Sequence, residues 1–280
     1  MNIYEHILKN KSAGYKMFAL LIDPEKCSDE WLCQILSTVN FCDKQEQQNL
    51  FQLPNETKIL SKINQRSLPK ECKNSQFSIL NSQLVIFVGG SQLKESIYNT
   101  VKKIKQLTQV PVVMFPGDAS QFAENVDALL FLSLASGRNA KYLIEQHIEA
   151  AQAIKSSGVE TIPTGYILVD GGKRTAVEQI SGTSPYPTSN PQLIADTALA
   201  CQLLGNKMVY LEAGSGANHP VPKNIIAETR KAIDIPLIVG GGIKTPQQMM
   251  DAFSAGADLV VIGNHLESHP DTLASLLNQL

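Results

Sequence analysis

Three apolar runs in the last third of the chain stop in the same way. Lys207-Met-Val-Tyr-Leu-Glu-Ala-Gly-Ser-Gly-Ala217, Val239-Gly-Gly-Gly-Ile243 and Val261-Ile-Gly-Asn264 each read as a short buried strand ending in glycine or a small polar residue, and the last two precede helix-like segments. Glycine lets backbone N–H groups approach an anion closely, and a helix that starts there adds the positive end of its dipole. One glycine cluster could be a turn. Three at the ends of consecutive strands point to a phosphate site of the kind built by the last loops of a (β/α)8 barrel.

The rest of the chain repeats the same strand-then-helix unit. Apolar runs at Lys16–Ile22, Leu84–Val88, Val110–Phe115, Ala128–Leu134 and Glu160–Val169 precede the three strands of the late motifs, Met208–Leu211, Pro236–Val239 and Leu259–Ile262. Such continuous apolar runs suit strands covered on both faces. Helical periodicity returns between most of them: after Ser28 (Trp31, Leu32, Ile35, Leu36, Val39), around Ile97–Leu107, and over Asn139–Ser156, Pro191–Leu204, Pro222–Ile233, Pro246–Ala255 and Pro270–Leu280. The exception lies between Pro116 and Asp127, too short a stretch for two loops and a helix of average length, about 11 residues. A (β/α)8 TIM barrel with an irregular or missing third helix is therefore expected, with a gap in its outer wall that suits a long apolar ligand. An open doubly wound sheet is the alternative. The segment Phe41–Gln83, rich in Gln, Asn, Lys and Ser, reads as a polar insertion after the first barrel helix, within one domain spanning 1–280. The loop Asp170–Pro187 is unusually long and carries Lys173, Arg174 and Glu178.

Composition narrows the function. A net charge of −2 offers no field for nucleic acid, so an anion must be held by local groups. The start of the chain lacks the basic-then-apolar order of a signal peptide, and the longest apolar run, Ala128–Ala135, falls far short of the ~20 residues of a spanning helix. A soluble, cytoplasmic protein is expected. The five cysteines have no metal-ligand spacing and read as reduced thiols. The five histidines show no metal spacing either.

In a barrel of this kind chemistry sits at the C-terminal strand tips. Those tips offer Asp23, Ser91, Tyr210, Glu212, Ser215, Gly216, Gly241, Gly242, Gly263 and Asn264. Asp23 and Ser91 suit magnesium, which takes one or two protein oxygens and leaves its other positions to water and phosphate; an Asp-Pro turn and a helix cap explain them equally well. Glu212 ends an otherwise apolar strand, as a general base would, or as a structural carboxylate capping a backbone N–H. Tyr210 shares its face of the strand, placed to bond a phosphate or sugar oxygen.

Six segments, Leu20–Lys26, Phe87–Ser91, Thr164–Gly172, Tyr210–Ala217, Val239–Pro246 and Ile262–Asn264, together resemble the geranylgeranylglyceryl phosphate synthase family, in the family's order and over nearly the whole chain outside the insertion. The resemblance implies a barrel with an irregular third helix and transfer of a geranylgeranyl group from geranylgeranyl diphosphate to the 3-hydroxyl of sn-glycerol 1-phosphate. It implies Mg2+ on Asp23 and Ser91, a glycerol phosphate site of Tyr210, Leu211, Glu212, Ala213, Gly214, Ser215 and Gly216 with Gly241, Gly242, Gly263 and Asn264, and Glu212 as the residue that takes the hydroxyl proton. A homo-oligomer with transient contact at the membrane surface is expected with it. Part of the family has lysine where this chain has Leu21. A bacterial branch that makes heptaprenylglyceryl phosphate typically has Tyr-Ser after the glutamate, where this chain has Ala213-Gly214, favouring the geranylgeranyl branch. Other phosphate-binding barrel enzymes are the alternative class.

Overall fold

The computed structural model describes residues 2–50, 83–90 and 96–280, and for 41–50 the backbone alone. Among these residues, eight parallel strands close into a barrel in sequence order. They are β1 (Met17–Ile22), β2 (Leu84–Val88), β3 (Val112–Met114), β4 (Ala128–Leu134), β5 (Glu160–Leu168), β6 (Met208–Glu212), β7 (Leu237–Gly240) and β8 (Leu259–Ile262), and β8 pairs back onto β1. The barrel expected from the alternation is the fold.

Strand alternation divides the core into two layers. Met17, Ala19, Phe87, Leu130, Tyr166 and Tyr210 point inward and pack with one another inside the ring. Phe18, Leu20, Val88, Ile167, Leu211 and Val239 point outward, under helices such as α2 (Asp29–Leu50), α3 (Ile97–Leu107) and α7 (Lys223–Ala232). The N-terminal helix α1 (Ile3–Ser12) closes the lower mouth: Ile3 and Ile7 join the inner layer. The Glu160 carboxylate at the foot of β5 accepts the N–H groups of Ile3 (2.5 Å) and Tyr4 (2.9 Å), which places a negative charge at the positive end of that helix.

Helices α4 (Gln146–Ser157), α5 (Ala176–Ser181), α6 (Pro191–Leu203), α8 (Pro246–Ala255), α9 (Asn264–Ser268) and α10 (Thr272–Leu277) complete the described set. Three readings need correction. Helix α2 runs past Phe41 to Leu50, so the supposed insertion begins as a continuation of a helix; residues 51–82 lie outside the described residues, and Gln83 is buried with its amide on the Lys16 carbonyl at 2.6 Å. The long loop after β5 contains α5, started by a capping box in which Thr175 and Glu178 satisfy each other's N–H groups. The helix expected over Pro270–Leu280 is the shorter α10, with α9 before it.

The missing third helix is confirmed. Between β3 and β4 the described chain makes only a single 3-10 turn, Ala119–Gln121. The seam beside it is short as well: β3 and β4 pair through Val113–Ala128 and Met114–Leu129, whereas β4 and β5 pair along seven positions from Ala128 to Leu134. Above Leu129, β4 therefore has no strand on its β3 side, and the wall opens there. On the neighbouring strand, α6 packs tightly on β5: a β-carbon at Gly165 would sit 2.5 Å from the Cys201 sulfur. Gly165→Ala is expected to lower stability by about 1–3 kcal/mol, read as a drop in the chemical denaturation midpoint; an unchanged midpoint would mean that the helix has room to move.

Candidate active site

Glu212 lies at the end of β6 and is 6% exposed. Its Oε1 accepts the Gly214 N–H at 2.7 Å, so the backbone-capping role foreseen for a structural carboxylate is filled. Burial pushes its pKa up, against the opposing pull of Tyr210 and of the Gly214 amide. The next strand is fitted around this carboxylate. Gly241 has φ +80°, and a β-carbon there would fall 2.4 Å from Glu212 Oε1 and 2.5 Å from the Gly214 nitrogen, so only glycine fits.

Two tyrosines and a phenylalanine form the floor. Tyr210 stands edge-on to Tyr166 at 5.2 Å and lies 5.5 Å from Phe115. Burial first, and the Glu212 charge second, hold both tyrosine pKa values well above the ordinary range, so both remain neutral phenols. The Tyr210 hydroxyl lies against the Glu212 carboxylate, which acts on it both as a charge and as an acceptor, although no hydrogen bond of regular geometry closes between them. A buried hydroxyl whose hydrogen bond is incompletely formed is costly, and it can turn to a ligand.

The late glycines follow the ends of β6, β7 and β8, and Gly241 lies against the backbone of Ala213 and Gly214. After β6, β7 and β8, the N–H groups of Ser215, Gly216, Gly241, Gly242 and Gly263 have no acceptor among the described residues. The Ser215 hydroxyl meets the Asn264 side chain, tying the β6 loop to the β8 loop. Free amides on three adjacent strand ends make a cradle for an anion. Leu211 and Ala213 contribute backbone only, because alternation turns their side chains toward the helices.

Asp23 follows β1 and is already engaged with a cation. Lys26 lies 2.8 Å from its carboxylate and 3.7 Å from that of Glu267 in α9. Burial lowers the Lys26 pKa, but the two carboxylates outweigh that effect and hold its ammonium above the ordinary lysine range. Ser91 lies outside the described residues. No cluster of three or more metal-ligating side chains occurs among those described. One or two hard oxygens suffice for magnesium shared with a phosphate, and a carboxylate that already attracts a positive charge fits that use.

An apolar groove leaves this centre through the open seam. It passes from Phe115, Leu134 and Tyr166 inside the ring to Leu129, Phe131 and Ile154 outside it. Val177 and Ile180 of α5 line its upper edge, and a π-helical turn at Lys141–Glu145 leads into α4 along its flank. Tyr166 therefore touches both the groove and Tyr210. The sequence reading missed Tyr166 and Phe115. Tyr166 had a signal, an inward position at the end of a strand, but Phe115 looked like ordinary core.

The model of the PcrB family matches residues 56–279. The chain belongs to the PcrB family. Similar proteins include the geranylgeranylglyceryl phosphate synthase of Zunongwangia profunda, 47% identical over 219 residues, which cover 74% of this chain and 94% of that protein. The enzyme of the same name from Flavobacterium johnsoniae is 40% identical over 95% of this chain and 94% of its own length. A crystal structure of (S)-3-O-geranylgeranylglyceryl phosphate synthase from Thermoplasma acidophilum, in complex with its substrate sn-glycerol-1-phosphate, superposes with a TM-score of 0.80 at 25% identity, covering 100% of this chain and 98% of that one. Membership in the PcrB family agrees with the resemblance of the six segments. No helix among the described residues is long and apolar enough to cross a membrane.

The buried Glu212 of this PcrB family member gives a pH-dependent signature. Its folded-state pKa lies above the unfolded value, so the folded protein holds the extra proton; the favourable contribution is full below the unfolded pKa and is lost as pH rises through the folded one. Glu212→Gln is expected to raise the denaturation midpoint at about pH 8 and to lose that advantage toward about pH 4. A variant less stable than wild type at the higher pH would contradict this account.

Proposed function

We propose that the protein joins the geranylgeranyl group of geranylgeranyl diphosphate to the 3-hydroxyl of sn-glycerol 1-phosphate, releasing diphosphate and forming an ether. The observation that carries this reading is a junction. Free amides follow the strand that ends in the buried Glu212, and an apolar groove through the barrel wall runs in to Tyr166 and Phe115, the two rings packed on Tyr210 of that same strand. The names of the similar proteins, and the ligand in the Thermoplasma acidophilum structure, support it.

In this reaction the bond between the allylic carbon and the diphosphate oxygen breaks, that carbon bonds to the glyceryl oxygen, and the hydroxyl proton passes to Glu212. The cradle fixes the glyceryl phosphate so that its hydroxyl is positioned rather than colliding at random. Burial raises the Glu212 pKa toward the working pH, which suits a group that must accept a proton. The Tyr210 hydroxyl, which has no hydrogen bond of regular geometry within the protein, can bond the glyceryl oxygen. The groove takes the prenyl tail and excludes water from the allylic centre. Asp23, with Ser91 from its motif, would hold Mg2+, which when bound offsets the charge growing on the departing diphosphate. The same reading includes a single barrel domain acting as a cytoplasmic homo-oligomer with transient contact at the membrane surface.

Labelled sn-glycerol 1-phosphate incubated with farnesyl, geranylgeranyl and heptaprenyl diphosphates tests the assignment. Ether product is expected with the geranylgeranyl donor preferred; preference for the heptaprenyl donor would move the chain to the other branch, and no product from any donor would refute the reading. Glu212→Gln is expected to retain sn-glycerol 1-phosphate binding while turnover falls by roughly a hundredfold or more. An unchanged rate would remove Glu212 from the chemistry.

A further inference from the structure

The loop after β5 holds two basic residues, Lys173 and Arg174, that the chemistry above does not use. It is seated firmly against the turn after β6. The Gly171 carbonyl accepts the N–H groups of Asn218 (3.0 Å) and His219 (3.1 Å), and the Gly172 carbonyl accepts the Asn218 side-chain amide at 2.8 Å. Thr175 packs on Gly214, where a β-carbon would lie only 2.0 Å from the threonine methyl. From this seat the Lys173 side chain reaches across to Gly216, its ammonium 3.9 Å from where a β-carbon at that glycine would sit.

We infer that Lys173 is the cation that closes over the phosphate of the glyceryl substrate, a specificity contact supplied by the β5 loop rather than by the three glycine-ended strands. The inference rests on the glyceryl phosphate reading above. Amides orient a phosphate and supply only partial charges, so a doubly ionised group in a protein of net charge −2 needs a local cation. Lys26 is committed to Asp23 and Glu267. Lys173 is exposed and forms no ion pair with a carboxylate among the described residues, yet it stands beside Gly216, whose N–H is one of the free donors. The same segment continues into α5, whose Val177 and Ile180 line the groove. One loop thus serves the phosphate with its start and the apolar chain with its helix.

The experiment compares wild type, Lys173→Gln and Lys173→Arg by steady-state kinetics, and by calorimetric titration with sn-glycerol 1-phosphate in the absence of donor. The glutamine variant is expected to raise KM and the dissociation constant for sn-glycerol 1-phosphate about tenfold, the size of one charge-assisted hydrogen bond, with KM for the prenyl diphosphate unchanged. It should also lose most of the salt dependence of binding, and the arginine variant should restore affinity. An unchanged constant for sn-glycerol 1-phosphate in the glutamine variant, while wild type turns over normally, overturns the inference and leaves the proposed function standing. A rise confined to the prenyl diphosphate also overturns it and moves Lys173 to the other substrate. Wild type that neither binds sn-glycerol 1-phosphate nor turns over defeats the proposed function, and the inference with it.

Discussion

The site depends on how closely the tips of β6 and β7 approach each other. Glu212 is taken out of water at the end of an apolar strand, and part of that cost is recovered from the Gly214 N–H. The contact is open only because the facing residue just past β7, Gly241, has no side chain. Once the backbones lie that close, the amides that follow them have no partner within the described fold. A carboxylate and a row of unfilled donors thus come from one packing arrangement, without a dedicated loop for either.

The second determinant is something the chain leaves out. A barrel is closed by pairing every strand along its length, and here one seam is paired at two positions where its neighbour is paired at seven. Without a third helix over that seam, the inner and outer apolar layers become continuous along β4, with Leu130 and Leu134 on one side and Leu129 and Phe131 on the other. Elsewhere in the ring a strand keeps these two layers apart.

Much of this was legible in the sequence, for a physical reason. Strands buried on both faces must be apolar throughout, so β2, β4 and β8 appear with their observed limits, and the acid that ends β6 stands out against its apolar run. The absent helix could be counted from the residues available. Short elements were harder: α5 and α9 are too brief for periodicity to accumulate, although Thr175 and Glu178 already spelled the capping box of α5. The continuation of α2 past Phe41 was hidden because Gln, Glu and Lys are good helix formers whose polarity resembles that of a loop. Phe115 could not be recognised as part of the site from its type or spacing; only the unpaired seam beside it gives it a role beyond packing.

The helix that seals the foot of the barrel has a consequence of its own. With Ile3 and Ile7 set into the inner layer and Glu160 holding the start of α1, that end offers no passage among the described residues. The ring is thus a blind vessel with a side slot: under the proposed function the small polar substrate comes and goes at the top, while the oily one slides in laterally. Related proteins could therefore change the length of the slot, and with it the size of the tail, without altering the residues that grip the head.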